Sequence, residues 1–252
     1  MSEIKYSVVI IAYNEENRLR ACINSIHRAR KDVQIILSDG GSTDATIKIA
    51  LEENVIVVSS KPGRGIQCNA GAKLAKGSII LFLHSDTTLP ANAFRLLDDY
   101  FGDSKVKIGT FRLAFDKKNP VLSIYTKFTS IDSVFTRFGD QCIVIRRNFF
   151  NQISGFNNWV LYEDVDLLRR ARKLTKIYSF PASVITSSRR FEEEGIIKQQ
   201  LINGWHILLF FSGKSPEELA VKYCSLHHPD DKINTASGKE KAINHYFMLS
   251  KI

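Results

Sequence analysis

The chain has 252 residues, 44% hydrophobic and 24% charged, ordinary values for a globular protein with a sizeable core and long enough for one large α/β domain or two small ones. A net charge of +9 favours anionic partners, nucleotides or phospholipid surfaces first; no zinc-finger spacing or RNP-like motif supports nucleic acid. Four scattered cysteines (Cys22, Cys68, Cys142, Cys224) form neither a CxxC nor a Cys/His ligand spacing, so reduced thiols in a cytosolic protein are expected. No basic-then-apolar leader precedes the first strand, and no apolar run approaches the roughly 20 residues of a membrane span.

Tyr6 to Ala12 (YSVVIIA) reads as a buried strand. Asn14 is placed to cap the next helix, with Glu15 and Glu16 in its first turn and Leu19, Ile23 and Ile26 facing the core. Val33 to Leu37 is a second strand, ending in Ser38-Asp39-Gly40-Gly41-Ser42-Thr43-Asp44. The helix behind that cluster should turn Ile47, Ala50 and Leu51 inward. Val55 to Val58 is a third strand. Lys61-Pro62-Gly63-Arg64-Gly65 follows, a glycine-containing loop with two cations before a helix, suited to an anion. That helix carries Ile66, Ala70 and Leu74 as its expected buried face.

Ile79 to Leu83 is an unbroken apolar run of strand length, the pattern of a strand buried on both faces. It changes within one residue to His84, Ser85 and Asp86. In open α/β sheets ligands collect beyond the carboxyl ends of strands, and this cluster suits a hard cation holding a phosphate. Asp86 equally suits a plain capping role before Thr87, Thr88 and Pro90. Four strand–helix alternations at short spacing predict a Rossmann-like, mostly parallel sheet flanked by helices.

The second half changes texture. Ala91 to Phe101 reads as a helix and Val106 to Phe115 as a strand. Pro120 to Phe138 shows Leu122, Tyr125, Phe128 and Phe135 at helical spacing, a core pattern. Gly139-Asp140-Gln141 precedes a short strand, Cys142 to Ile145, and the basic turn Arg146-Arg147. Gly155-Phe156-Asn157-Asn158-Trp159 leads to Tyr162-Glu163-Asp164-Val165-Asp166, which opens a helix through Arg172. Acids there suit the helix dipole whether or not they do chemistry. Short strands at Lys176 to Phe180 and Val184 to Ser187 precede Arg189-Arg190-Phe191-Glu192. A helix from about Glu194 to Phe211 closes the compact part. The tail past Lys214 is polar and expected to be poorly ordered beyond about His228.

Four ordered segments, Tyr6 to Glu16, Ser38 to Thr46, Leu83 to Pro90 and Tyr162 to Leu168, together resemble the family 2 glycosyltransferases of GT-A fold. The resemblance covers residues 4 to 212. It implies one domain over 1–212, with a nucleotide-binding half (1–90), an acceptor half (91–212) and an extension over 213–252. Gly63 to Pro90, Gly139-Asp140-Gln141 and Arg189 to Gly195 further resemble a selenium- or radical-SAM-associated branch of that family.

The resemblance implies roles position by position. Ala12, Tyr13 and Glu15 lie against base and ribose, Asp39 accepts a hydrogen bond from a uracil-type ring, and Lys61 and Arg64 approach the base or diphosphate. Asp86 matches the last acid of an Asp-x-Asp motif and binds Mn²⁺ or Mg²⁺ on the diphosphate, with His84 and Ser85 beside the donor. Asp164 is the general base for an acceptor hydroxyl, with Glu163 orienting the acceptor. Asp140, Gln141, Trp159, Arg189 and Arg190 line the acceptor or diphosphate. Direct displacement then inverts the anomeric carbon of a UDP- or GDP-linked hexose.

Two departures stand out. Gly40 replaces a second acid after Asp39, and His84 replaces the first acid of Asp-x-Asp, which weakens the site for magnesium and favours manganese. Two alternatives stand beside the transferase: a nucleotide-binding protein without activity, and a membrane-peripheral protein, including a polyprenyl-phosphate sugar transferase. The last rests on the apolar Ile196 to Phe211 helix with Lys198, Arg189 and Arg190 facing anionic lipid; a core or dimer contact is the other use of that helix.

Overall fold

The structure is a computed structural model that describes residues 4–117, 119–128, 133, 138–159, 161–189 and 195–227. Its frame is a mixed eight-stranded sheet in the order β3-β2-β1-β4-β7-β6-β8-β5, the last being the two-residue strand Thr87–Thr88, antiparallel to β8. β1 (Tyr6–Ala12), β2 (Gln34–Asp39), β3 (Ile56–Ser59) and β4 (Ile79–His84) are mutually parallel. β1 and β2 are buried at every residue, as apolar runs covered on both faces must be. β7 (Ile143–Arg146) pairs antiparallel with β4 and with β6 (Ile108–Phe115), and β6 pairs parallel with β8 (Ile177–Thr186). β6 and β8 therefore run with β1 and β4. The carboxyl ends of β1, β2, β4 and β8, and the entrance to β7, all lie on one rim.

One apolar layer fills the space between the sheet and α1 (Leu19–Ala29) and α4 (Ala93–Phe101), with Leu19, Ile23, Ile26, Phe94 and Leu97 at its centre. A second lies under α3 (Arg64–Leu74), α6 (Arg147–Gln152) and α7 (Glu163–Arg172). A third joins α7 to α8 (Ile196–Phe211) and α9 (Pro216–His227). α2 (Thr46–Glu52) flanks β3, and α5 (Pro120–Phe128) follows β6. Among the described residues no helix is long and apolar enough to cross a membrane.

Several local expectations are corrected. Asn14 does not cap α1, which starts at Leu19 without a side-chain cap. Asn14 instead adopts a left-handed backbone (φ 53°) and ties two loops together: its N–H donates to Ser42 Oγ, and its Oδ1 accepts from the Thr43 N–H. Leu51 of α2 points outward, 60% exposed, while Ala50 is buried. α3 buries Gly65, Gln67, Cys68 and Gly71 rather than the face of Ile66, Ala70 and Leu74. The two strands expected near 176–187 are one strand, irregular where Thr110 pairs Ser179 but Arg112 pairs Ser183, around Pro181, which has no N–H to give a ladder. α6 was not expected, and the polar tail folds as α9, burying Leu219 and Ala220. Leu122 is buried; the side chains of Tyr125, Phe128 and Phe135 lie outside the described set, as do residues 228–252.

Candidate active site

The ends of β1 and β2 are set side by side by register, Ala12 opposite Asp39. Two bonds reach the Ala12 carbonyl, from the Gly40 N–H (2.9 Å) and from Gln67 Nε2 (2.9 Å), which also donates to the Ser38 carbonyl at 3.0 Å. Gln67 therefore pins both strand ends from α3. A Cβ on Gly40 would stand 3.1 Å from Gln67 Nε2, so a larger residue there requires Gln67 to shift. Asp39 is fully buried and its Oδ2 accepts from the Gly41 and Ser42 N–H groups, at 2.8 and 2.9 Å. Its Oδ1 has no partner among the described residues, a buried acceptor awaiting a donor.

Register also places Ile11 opposite His84, so the end of β4 adjoins β1. The His84 imidazole is held neutral: burial, and secondarily Arg64, lower its pKa to about 3. The Asp86 carboxyl is pushed above its ordinary range by burial, against the opposing pull of a Thr87 hydrogen bond and of Arg189, Arg18 and Arg64. Its Oδ1 accepts only from the Thr87 and Thr186 hydroxyls, at 3.2 and 3.5 Å, and no ion pair among the described residues includes it. Glu15, 1% exposed, is raised to about 7 by burial and by Asp86; Arg189 Nη2 donates to its Oε1 at 3.4 Å.

Antiparallel pairing of β7 with β4 brings Gly139–Gln141, a 3₁₀ turn, to the same rim. Asp164, in the first turn of α7, holds this turn: its Oδ2 accepts from the Gly139 N–H and its Oδ1 from the Val165 N–H. Asp140 is raised to about 7 by burial and then by Asp164. Glu163, 3% exposed, is raised to about 8 by the same two causes. Arg64 opposes both shifts, so one cation from α3 faces acids from β7 and α7. Asp140 Oδ1, Glu163 Oε2 and Glu15 Oε2 lack hydrogen-bond partners among the described residues. The rim carries carboxyl oxygens that the described residues leave without hydrogen-bond partners. That arrangement suits a cation and a hydrogen-bond-donating ligand.

The profile of "Glycosyl transferase family 2" matches residues 7–154. The chain belongs to that family. Among curated relatives, a poly(ribitol-phosphate) beta-glucosyltransferase of Bacillus spizizenii is 34% identical over 101 residues, covering 36% of this chain and 16% of its own length. The chain spans well under half the length of the curated relatives it matches. Among solved structures, S. aureus TarS 1-349 in complex with UDP-GlcNAc superposes with TM-score 0.60 at 14% identity, over 98% of this chain and 81% of that one. Mannosyltransferase PcManGT from Pyrobaculum calidifontis, in complex with GDP-Man and Mn2+, gives 0.59 at 14% identity, over 98% and 74%. The fold is the α/β GT-A fold of these glycosyltransferases.

Within this family member, Ala12, Glu15, Asp39, Arg64, His84, Ser85, Asp86, Asp140, Glu163, Asp164 and Arg189 are gathered on the rim by the contacts above. Ser85 is fully buried, and its hydroxyl has no partner among the described residues. Tyr13 is half-buried just past β1, and Lys61 is exposed in the loop before α3. Gln141 is buried and accepts from the Thr110 hydroxyl at 3.4 Å, on the core side of the turn. Trp159 stands apart, edge-on to Phe210 of α8 with centroids 6.1 Å apart. Arg190 lies outside the described residues. Sequence reasoning passed over Gln67 and Arg18. The signal for Gln67 was the small-residue face around it, Gly65, Cys68 and Gly71, which marks α3 as packed closely against the sheet. Arg18, 3.9 Å from Glu15, carried no sequence signal.

Proposed function

We propose that this chain is an inverting glycosyltransferase that moves a hexose from a UDP- or GDP-sugar to an acceptor hydroxyl. The observation that carries the reading is the convergence of four separate segments, ending at Asp39, Asp86, Asp140 and Glu163-Asp164, on one rim of the sheet, with Arg64 acting on the last three. Family membership and GT-A neighbours bound to nucleotide sugars support it.

In this mechanism Asp39 Oδ1 accepts from the base, and the ends of β1 and β2, fixed by Gln67, frame the ribose beside Tyr13 and Glu15. Arg64 and Lys61 meet the diphosphate. The donor set fits a divalent cation, since Asp86 has only weak hydroxyl partners and His84 offers a neutral imidazole. Among the described residues no three His, Cys, Asp or Glu side chains converge on a metal position, so Asp86 and His84 are the residues that would hold the cation. Bound there, Mn²⁺ in preference to Mg²⁺ supplies neutralisation of charge on the leaving diphosphate. Asp164, held by two backbone donors, takes the acceptor's proton as its oxygen bonds the anomeric carbon and the carbon–diphosphate bond breaks. Glu163 orients the acceptor, with Asp140 and Arg189 near it on the rim. The acceptor is a small or lipid-linked hydroxyl compound, and the buried free thiols Cys22, Cys68 and Cys142 suit a reducing cytoplasm.

The test is calorimetry with UDP and GDP, with and without Mn²⁺, beside a hydrolysis screen of their sugars. Metal-dependent binding that disappears in a folded Asp86→Ala is the expected result. Equal metal-dependent affinity in the variant overturns the assignment of Asp86. No binding of either nucleotide to the wild type overturns the function.

A further inference from the structure

The sequence repeats itself at the rim opposite the catalytic one. α3 runs into Lys73-Leu74-Ala75-Lys76 before β4 starts at Ile79, and α7 runs into Lys173-Leu174-Thr175-Lys176 before β8 starts at Ile177. Strand register sets both segments on one edge, with the end of β7 between them. Arg146 pairs with Ile79, Ile145 with Ile108, and Ile108 with Ile177. All four lysines are exposed, and the leucines are too, Leu74 by 40% and Leu174 by 55%. Lys73 suits the dipole at the end of α3. Lys76 and Lys176 stand beyond their helices, and the exposed leucines stabilise neither helix.

Hydrogen bonds to the frame hold this edge in place. Gln34 Nε2 donates to the Leu74 carbonyl (3.0 Å), its Oε1 accepts from the Lys76 N–H (2.8 Å), and the Gly77 N–H donates to Ser7 Oγ (2.8 Å). The Leu174 and Thr175 N–H groups both donate to the Ala171 carbonyl, at 2.9 and 3.0 Å. Between the two segments the Arg147 N–H donates to the Ser78 carbonyl at 2.9 Å. Ser78, Arg146, Arg147, Asn148 and Asn151 line a cleft of about 450 Å³ there. The Arg146 guanidinium bonds the carbonyls of Phe101, Asp103 and Val106, which leave its charge uncompensated. Among the described residues neither arginine and none of the four lysines is in an ion pair.

No acid occurs in residues 73–78, 146–152 or 169–178. The acids that reach this rim, Asp32, Glu52, Glu53, Asp98, Asp99 and Asp103, lie at the ends of α1, α2 and α4, across the sheet. Asp32, Glu52, Glu53 and Asp98 are paired there with Lys5, Arg20 or Arg30. Cations alone suit any polyanion. The two leucines among them select a bilayer, because an apolar side chain gains by entering the headgroup boundary and gains nothing on a hydrated polymer.

We propose that this rim is a docking surface for an anionic phospholipid bilayer. Leu74 and Leu174 enter the headgroup boundary, the four lysines meet the surface charge, and a lipid phosphate sits in the cleft beside Arg147. The six residues of β4, at about 3.3 Å each, set the catalytic rim about 20 Å away and facing solvent. A docked molecule therefore takes its acceptor from the aqueous side. That consequence rests on the proposed function; the docking does not, and its test reads partition rather than activity.

Co-sedimentation of the full chain with vesicles is the measurement. The protein should partition onto phosphatidylglycerol-containing vesicles and not onto pure phosphatidylcholine, and added salt should weaken the binding. Lys73→Ala, Lys76→Ala, Lys173→Ala and Lys176→Ala combined should lower partition about 10²-fold or more, each cation being worth about fivefold near an anionic surface. Arg147→Ser should lower it about fivefold. Leu74→Asn with Leu174→Asn should lower it about tenfold at unchanged charge, while affinity for heparin stays as it was. Unchanged melting temperature shows that each variant is folded, and Leu174→Asn alone carries the leucine test if the pair melts early. A wild type that leaves anionic vesicles unbound overturns the proposal. So does binding that survives the four lysine changes, which would place the lipid contact elsewhere. Binding indifferent to the leucines also overturns it, marking the rim as a polyanion site.

Discussion

At the scale of single residues, the acids on the rim divide by what already holds them. Asp166 is committed to structure: its carboxylate accepts from Asn157 Nδ2, Arg169 and Arg170. Asp164 is fixed at both oxygens by backbone donors and sits where α7 meets the Gly139 turn. Asp164→Asn keeps the shape of the side chain but cannot accept a proton and keeps one of its two backbone hydrogen bonds. It should preserve nucleotide affinity while slowing single-turnover transfer by about 10²- to 10⁴-fold. Near-normal transfer would move the base to Asp140 or Glu163. His84 is subject to a separate measurement. If its neutral imidazole is a ligand, turnover with Mn²⁺ exceeds that with Mg²⁺, and His84→Asp narrows the difference. Equal turnover of the wild type with both metals removes His84 from the cation.

At the scale of elements, strands were legible and helix faces were not. β1, β2 and β4 announce themselves because an unbroken branched apolar run has few other uses. The acids at their ends were legible for the same reason: a polar residue directly after such a run must stand at a rim. α3 was misread because its packing rests on absent side chains. A Cβ on Gly71 would stand 2.3 Å from Val9 Cγ1, and one on Gly65 would stand 2.1 Å from the Asn157 carbonyl oxygen. Counting large apolar residues selects the opposite face of that helix. Gly71→Val should therefore push α3 off the sheet and cost about 1–3 kcal/mol. It should also loosen Gln67 from the Ala12 and Ser38 carbonyls. Thermal melts and nucleotide titration on one preparation check both effects. Unchanged melting would mean that α3 tolerates the added volume and does not fix the strand ends.

At the scale of the whole molecule, the rim should leave its mark on stability against pH. Glu15 and Asp140 are raised to about 7 and Glu163 to about 8. An acid whose folded pKa is raised binds more protons folded than unfolded, so stability falls as pH climbs from the unfolded value to the folded one. His84, lowered to about 3, acts the other way, and its effect is complete once pH passes its ordinary 6.5. Asp44 and Asp98, both held below the usual range, lose their contribution only in acid. Between about pH 6.5 and 8 the raised carboxyls, Asp86 acting in the same direction as these three, outlast the effect of His84, so the ligand-free protein should melt at steadily lower temperature across that window. Glu163→Gln removes the group that titrates last. Its melting temperature should exceed the wild type's at pH 8, and the gap should narrow as pH falls, closing only near the carboxyl's ordinary value of 4.5. UDP with Mn²⁺ should flatten the wild-type curve, because a bound cation favours the ionised carboxyls. A wild-type curve that is flat or rising over this window would mean that the rim acids are already ionised and paired in the free protein.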